Sequence, residues 1–133
     1  MVIDPDNPQK LFVAMWEHQR WPWFFKSGGA GSGLHMTVDG GETWTQVKEG
    51  LPKGELGRMG LAIAAGNSSY VYALVESKKN AIYRSSDGGY TWEERGSKNM
   101  GGRPFYYADI FVDPANENRL YSLHSTVSVS EDG

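Results

Sequence analysis

The chain has 133 residues, 39% of them hydrophobic and 13% aromatic, which bounds it to one globular domain with room for one hydrophobic core. Its formal net charge of −3 argues against the basic face that non-specific nucleic-acid binding requires, and the absence of cysteine excludes both a disulfide framework and a thiolate zinc site. No apolar run approaches the roughly 20 residues of a membrane span, and MVIDPDNPQK has neither a basic n-region nor an apolar h-region, so no export signal is expected within these residues.

In chain order, the first phrase is IDPDNPQKLFVA from Ile3, a turn rich in Pro and Asn that runs into an apolar strand. The segment Glu17 to Gly33, EHQRWPWFFKSGGAGSG, reads as one long loop; its GGAGSG end matches a phosphate loop only in glycine content and reads as flexible. A turn, TVDGGETW from Thr37, follows, and then the connection GLPKGELGRMG. GRMGLAIAAG, YVYALVES, AIYRSS and TWEERG then read as four short strands, rich in β-branched and aromatic residues and separated by turn residues. The connection GSKNMGGRPFYY leads to VDPANENRLYSL, and the chain stops at SEDG. Glycine and proline interrupt every window in which an apolar 3.6-residue period might begin, so no helix is expected.

Two markers repeat along this series. Asp39, Asp87 and Asp132 stand 48 and 45 residues apart (87 − 39 and 132 − 87), and the phrases beginning at Ile3, Ile63 and Val112 keep a similar period out of phase with them. Four strands per repeat of about 45 residues is the accounting of a propeller blade. The sequence therefore predicts an all-β fold: a partial β-propeller of about two and a half four-stranded antiparallel blades, spanning 1–50, 51–97 and 98–133, the last incomplete.

The repeated turn has a physical task. Between third and fourth strands the chain must reverse within a few residues, which favours glycine where φ turns positive, at Gly88 and Gly89. Asp87 can accept hydrogen bonds from the turn's own amides, Ser85 and Thr91 can close the remaining bonds, and Trp92 can wedge its ring into the blade core. The equivalent structural set is Thr37, Asp39, Gly41, Thr43 and Trp44 in the first copy, Ser85, Asp87, Gly89, Thr91 and Trp92 in the second, and Ser130 and Asp132 in the third. A carboxylate satisfied by amides is a poor base, and one Asp flanked by Gly supplies too few oxygens for calcium. His18, His35 and His124 show no ligand spacing. No metal and no cofactor is expected.

The phrase S/T-x-D-G-G-x-T-W resembles the Asp-box, or bacterial neuraminidase repeat, of sialidases, some plant-polysaccharide hydrolases and sortilin-type propeller domains. The wider phrasing, from DPDNPQKLFVAMWEHQRWPWFFKSGGAGSG through YRSSDGGYTW to RPFYY and VDPANENRLY, is closest to bacterial sortilin-like propellers, and the resemblance runs through essentially the whole chain. It implies a ring with several more blades, hence an internal fragment of a longer protein that is secreted, periplasmic or at the cell surface. Thr37 stands where Ser is commoner in the family, and the third copy ends before its Thr and Trp. An isolated fragment of this kind is expected to self-associate through its open blades.

Strand order places the DGG turns and the DPDNP-type turns on one face of the propeller. The opposite face receives two loops in which arginine precedes proline and aromatics: Arg20, Trp21, Trp23 with Phe24 and Phe25, and Arg103, Phe105, Tyr106 and Tyr107. Such surfaces recognise peptides and sugars, and equally they close the gaps between blades. The expected function is a non-catalytic module binding a peptide or carbohydrate ligand; the alternative is a fragment of a BNR-repeat glycoside hydrolase, sialidase-like or polysaccharide-degrading, whose acids lie in other blades, since no pair of carboxylates here is assigned to glycosidic cleavage.

Overall fold

The computed structural model describes residues 1–98 and 100–133; Asn99, within the connection expected between the second and third blades, lies outside the described residues. The described residues form β-strands and no helix. The first sheet has the order β1-β2-β5-β6, built from β1 (Val2–Ile3), β2 (Leu11–Met15), β5 (Gly33–Thr37) and β6 (Thr45–Val47). Between β2 and β5 the chain makes a separate hairpin of β3 (His18–Trp21) and β4 (Phe24–Ser27). The second sheet runs through β7 (Met59–Ile63), β8 (Val71–Val75), β9 (Ala81–Ser85) and β10 (Glu93–Gly96), and the third through β11 (Asp109–Asp113), β12 (Asn116–Leu123) and β13 (Val127–Ser130). Every pairing is antiparallel. This is an all-β partial propeller, two four-stranded blades and one of three strands.

The middle blade is enclosed on both faces, and the two-residue period of its strands divides its side chains between two cores. Val71, Ala73, Val75, Ala81 and Tyr83 point toward the first blade and pack with Phe12, Leu34, Met36 and Trp92. Tyr72, Leu74 and Ile82 point the other way and pack with Ala108, Ile110 and Leu120 of the third blade. This explains why β8 is apolar at every position rather than at alternate ones: both faces of the strand are interior. The neighbouring inner strands approach so closely that a Cβ on Gly60 would collide with the Ala108 carbonyl.

The Glu17–Gly33 segment corrects the expectation of a single flexible loop. It holds the β3–β4 hairpin, and its glycine-rich end is tied down: the Gly28 amide donates to the Glu17 carbonyl at 2.9 Å and the Gly31 amide to the Glu17 carboxylate at 2.7 Å. Gly28 and Gly29 are buried against Leu56, and a side chain at either would strike that carbonyl or the Glu17 carboxylate. These glycines answer a close backbone approach between two blades rather than a need for mobility.

Candidate functional site

On one face of the molecule three copies of a single turn repeat the same bonds. The hydroxyl at the first position donates to the Asp carboxylate in each: Thr37 to Asp39 at 2.6 Å, Ser85 to Asp87 at 2.7 Å and Ser130 to Asp132 at 2.9 Å. The glycine after the Asp has positive φ in each (78° at Gly40, 79° at Gly88, 71° at Gly133), and its amide donates at 2.8 Å to the carbonyl of Gln9, Ser69 or Asn118, just before or early in the second strand. The two classes of turn thereby lock to each other on one side of the propeller.

Within the complete copies, the Asp39 carboxylate also accepts the Thr43 hydroxyl and amide, while Asp87 accepts the Thr91 hydroxyl and the amides of Tyr90 and Thr91. For Asp39 the Thr37 bond, then those from Thr43, hold the carboxyl far below the usual range. For Asp87 desolvation pushes upward, but the bonds from Thr91, Ser85 and Tyr90 outweigh it with the same result. Ionised near neutrality and already accepting several donors, neither acid is suited to shuttle protons there. Gly41 and Gly89 offer their carbonyls to the indole N–H of Trp44 and Trp92, both at 3.0 Å.

The opposite face carries the aromatic loops. The two-residue period of the β3–β4 hairpin puts His18, Arg20, Phe25 and Ser27 on its inner side and Gln19, Trp21, Phe24 and Lys26 on its outer side. The inner side is clamped: His18 stacks on Trp16 with centroids 4.1 Å apart, Phe25 packs on Phe105 at 5.1 Å, and Arg20 Nη1 donates to the Tyr106 hydroxyl at 2.9 Å across 86 residues of chain. Arg103 lies over the Tyr106 ring at 4.9 Å. The bond from Arg20, with the charges of Arg20 and Arg103 behind it, keeps the Tyr106 hydroxyl below the ordinary tyrosine range against a smaller opposing effect of desolvation.

Several supports here give no signal in the sequence. Arg58 Nη1 donates to the carbonyls of Tyr106 at 3.0 Å and Phe105 at 3.4 Å, fixing the 103–107 turn, and its guanidinium lies over Trp16. Glu76 accepts the Ser27 hydroxyl at 2.6 Å and the Arg58 amide at 2.8 Å, while Ser27 accepts the Trp16 indole. Arg58 and Glu76 lie in different phrases from the Arg-Pro-aromatic loops, and only the fold brings them together.

The candidate residues thus divide. Phe105, Tyr106 and Arg20 brace one loop against the other across the middle blade. Trp21, Trp23 and Tyr107, with Phe24, remain exposed, Trp23 most of all at 83%. Trp16, Trp44 and Trp92 each donate the indole N–H inside the protein, whereas among the described residues Trp21 and Trp23 donate to nothing. Beside them Arg20, Arg103 and Tyr106 border an open depression of about 410 Å³. Among the described residues no group of three or more His, Asp or Glu is placed to hold a metal ion, and no helix is long and apolar enough to cross a membrane.

No protein-family model matches this sequence, and no curated protein is similar to it in sequence. Solved structures do match in shape. The GH74 enzyme of Niastella koreensis superposes with a TM-score of 0.63 at 18% identity, over 99% of this chain and 20% of that one. The fold is that of a propeller segment. The GH74 xyloglucanase of Xanthomonas campestris gives a TM-score of 0.67 at 16% identity, over 93% of this chain and 19% of its own. The chain therefore spans about a fifth of the length of these enzymes, and at such identities the likeness concerns the fold alone.

Proposed function

We propose that this chain is a carbohydrate-binding segment of a glycoside-hydrolase-type propeller. The observation that carries the reading is the outward side and tip of the β3–β4 hairpin, where Trp21 and Phe24 on the side and Trp23 in the turn are displayed on a backbone held from behind through Arg20 and Phe25. Exposing large rings has no folding benefit, and a rigid aromatic surface loses little entropy when a ligand covers it. The apolar C–H face of a pyranose ring suits such a surface, and the free indole N–H groups of Trp21 and Trp23 suit its hydroxyls.

The reading assigns polysaccharide binding, not bond cleavage, to these residues. Glycoside hydrolysis needs two carboxyl groups flanking the scissile bond. On this face Glu17 is engaged by the Gly31 amide, Glu76 by Ser27 and Arg58, and Glu55 lies 3.8 Å from the Lys26 ammonium. The similarity in shape to GH74 enzymes supports the hydrolase reading over a peptide-binding module. A polymeric glycan is met outside the cytoplasm, which fits a parent protein that is exported.

Retardation in native gels containing soluble polysaccharide tests the proposal. The chain is expected to be slowed, and Trp23→Ala to weaken binding by about tenfold or more with an unchanged melting temperature. Equal retardation of the wild type and Trp23→Ala, or none for either, would overturn it.

A further inference from the structure

We propose that the depression beside the hairpin takes a negatively charged sugar residue, so that the ligand is a carboxylate-bearing polysaccharide of the uronate class. This rests on the carbohydrate-binding reading above and narrows it. The chain holds 16 acidic against 13 basic residues, so an excess of unpaired cations at one place runs against its composition. Lys10, Lys26, Lys79, Arg84, Arg95 and Arg119 all lie within ion-pair distance of a carboxylate. Among the described residues Arg20, Arg58 and Arg103 do not, and neither do Lys48, Lys53, Lys78 and Lys98; the three arginines are set apart by gathering around one turn, 103–107.

Arg58 is occupied by the two carbonyls it holds. Arg20 and Arg103 are different: both are exposed, both rest on the same tyrosine, and the depression they border has no acidic residue in its lining. Arg20 spends one N–H on the Tyr106 hydroxyl, and Arg103 makes no side-chain hydrogen bond among the described residues. A guanidinium presents five donors in a planar fork that matches a carboxylate, and two such groups near one ring repel each other until an anion lies between them. Tyr106 accepts from Arg20 and so keeps its own hydroxyl proton for a ligand oxygen. The adjoining Trp21 and Trp23 then cover the sugar ring, while the guanidinium forks read its carboxylate.

The test titrates the chain by calorimetry with polygalacturonate, alginate and hyaluronan, with fully methyl-esterified pectin and xyloglucan as uncharged comparisons. At least one of the three polyanions is expected to bind, and polygalacturonate, if it is that one, to lose about tenfold or more in affinity on esterification. Arg103→Gln, which breaks no side-chain hydrogen bond, should weaken the polyanion by a similar factor and leave any xyloglucan binding alone. Arg20→Lys, which keeps the charge and loses the fork, should fall between. If xyloglucan binds in a Trp23-dependent way while all three polyanions are ignored, the narrower proposal fails and the carbohydrate reading stands. Indifference of polyanion binding to Arg103→Gln and Arg20→Lys would also overturn it. If no glycan binds, both fail.

Discussion

Trp92 and Trp44 close the same turn with the same indole bond to a glycine carbonyl, yet Trp92 is 5% exposed and Trp44 is 41% exposed. The difference lies in what faces the turn. The second turn meets the first blade: a Cβ on Gly89 would strike Phe12, and the Trp92 amide donates to the Glu49 carbonyl. The first turn has no blade of this chain on the corresponding side. The carboxylate, hydroxyls and glycines thus make a self-sufficient local structure, while burial of the tryptophan depends on a neighbouring blade. One motif does two jobs, and only the first is encoded within the motif itself.

Substitution separates the two jobs. Trp92→Ala should cost about 3–5 kcal/mol, the range for emptying a large aromatic site in a core, and Trp44→Ala less than about 1 kcal/mol in the same denaturant melts. Similar losses at the two positions would dissolve the distinction.

At the carboxylates the contrast should nearly vanish. Asp87→Ala is expected to cost about 1 kcal/mol, because the carboxylate accepts several bonds but water can reach some of the freed amides. Asp39→Ala should lower the unfolding midpoint in the same direction. A large effect at one and none at the other would tie the turn to its surroundings after all.

Acid should act on both turns together. Each carboxyl is held below its unfolded-state range, near 3.9 for Asp. The resulting stabilisation is fully present above that value and is lost as pH falls further toward the folded-state titration. Melts between about pH 7 and 2 should show a decline below about pH 4. Asp39→Asn and Asp87→Asn should flatten it, and an unchanged decline in the double variant would place the sensitive groups elsewhere.

The end blades carry the smallest expected effect. Ile3, Met15 and Trp44 are exposed on the first blade and Phe111, Val127 and Val129 on the third, where the enclosed middle blade has interior contacts. These faces are expected to drive weak association between copies, seen by light scattering across a dilution series and reduced by Val129→Glu. A monomer at every concentration would show that the exposed faces are inert.

Most of the fold was legible in the sequence, and the reasons lie in particular residues. YVYALVES and AIYRSS carry the β-branched and aromatic runs of strands, and the period of the DGG turns fixes their grouping into blades. The hairpin in HQRWPWFFKS escaped because its two-residue connection is Pro22-Trp23, without the Asn-Gly or Asp-Gly of a typical tight turn, and because both its sides carry aromatics. The meeting of Arg20 with Tyr106 follows from strand order, which sends both loops to one side. Arg58 and Glu76 could not be found that way: a lone arginine in GELGRMG gains its role only when the backbone carbonyls of Phe105 and Tyr106 are brought beside it.

The five tryptophans supply the most direct measurement of the central claim that the outer side of the β3–β4 hairpin is a ligand surface and the DGG turns are structural. Their indole N–H resonances can be followed in a nitrogen-15 correlation spectrum as polysaccharide is added. Those of Trp21 and Trp23, which have no partner among the described residues, should shift with saturation, while that of Trp92, bonded to the Gly89 carbonyl in the core, should not. Movement of the Trp44 and Trp92 signals with Trp21 and Trp23 unmoved would contradict the account.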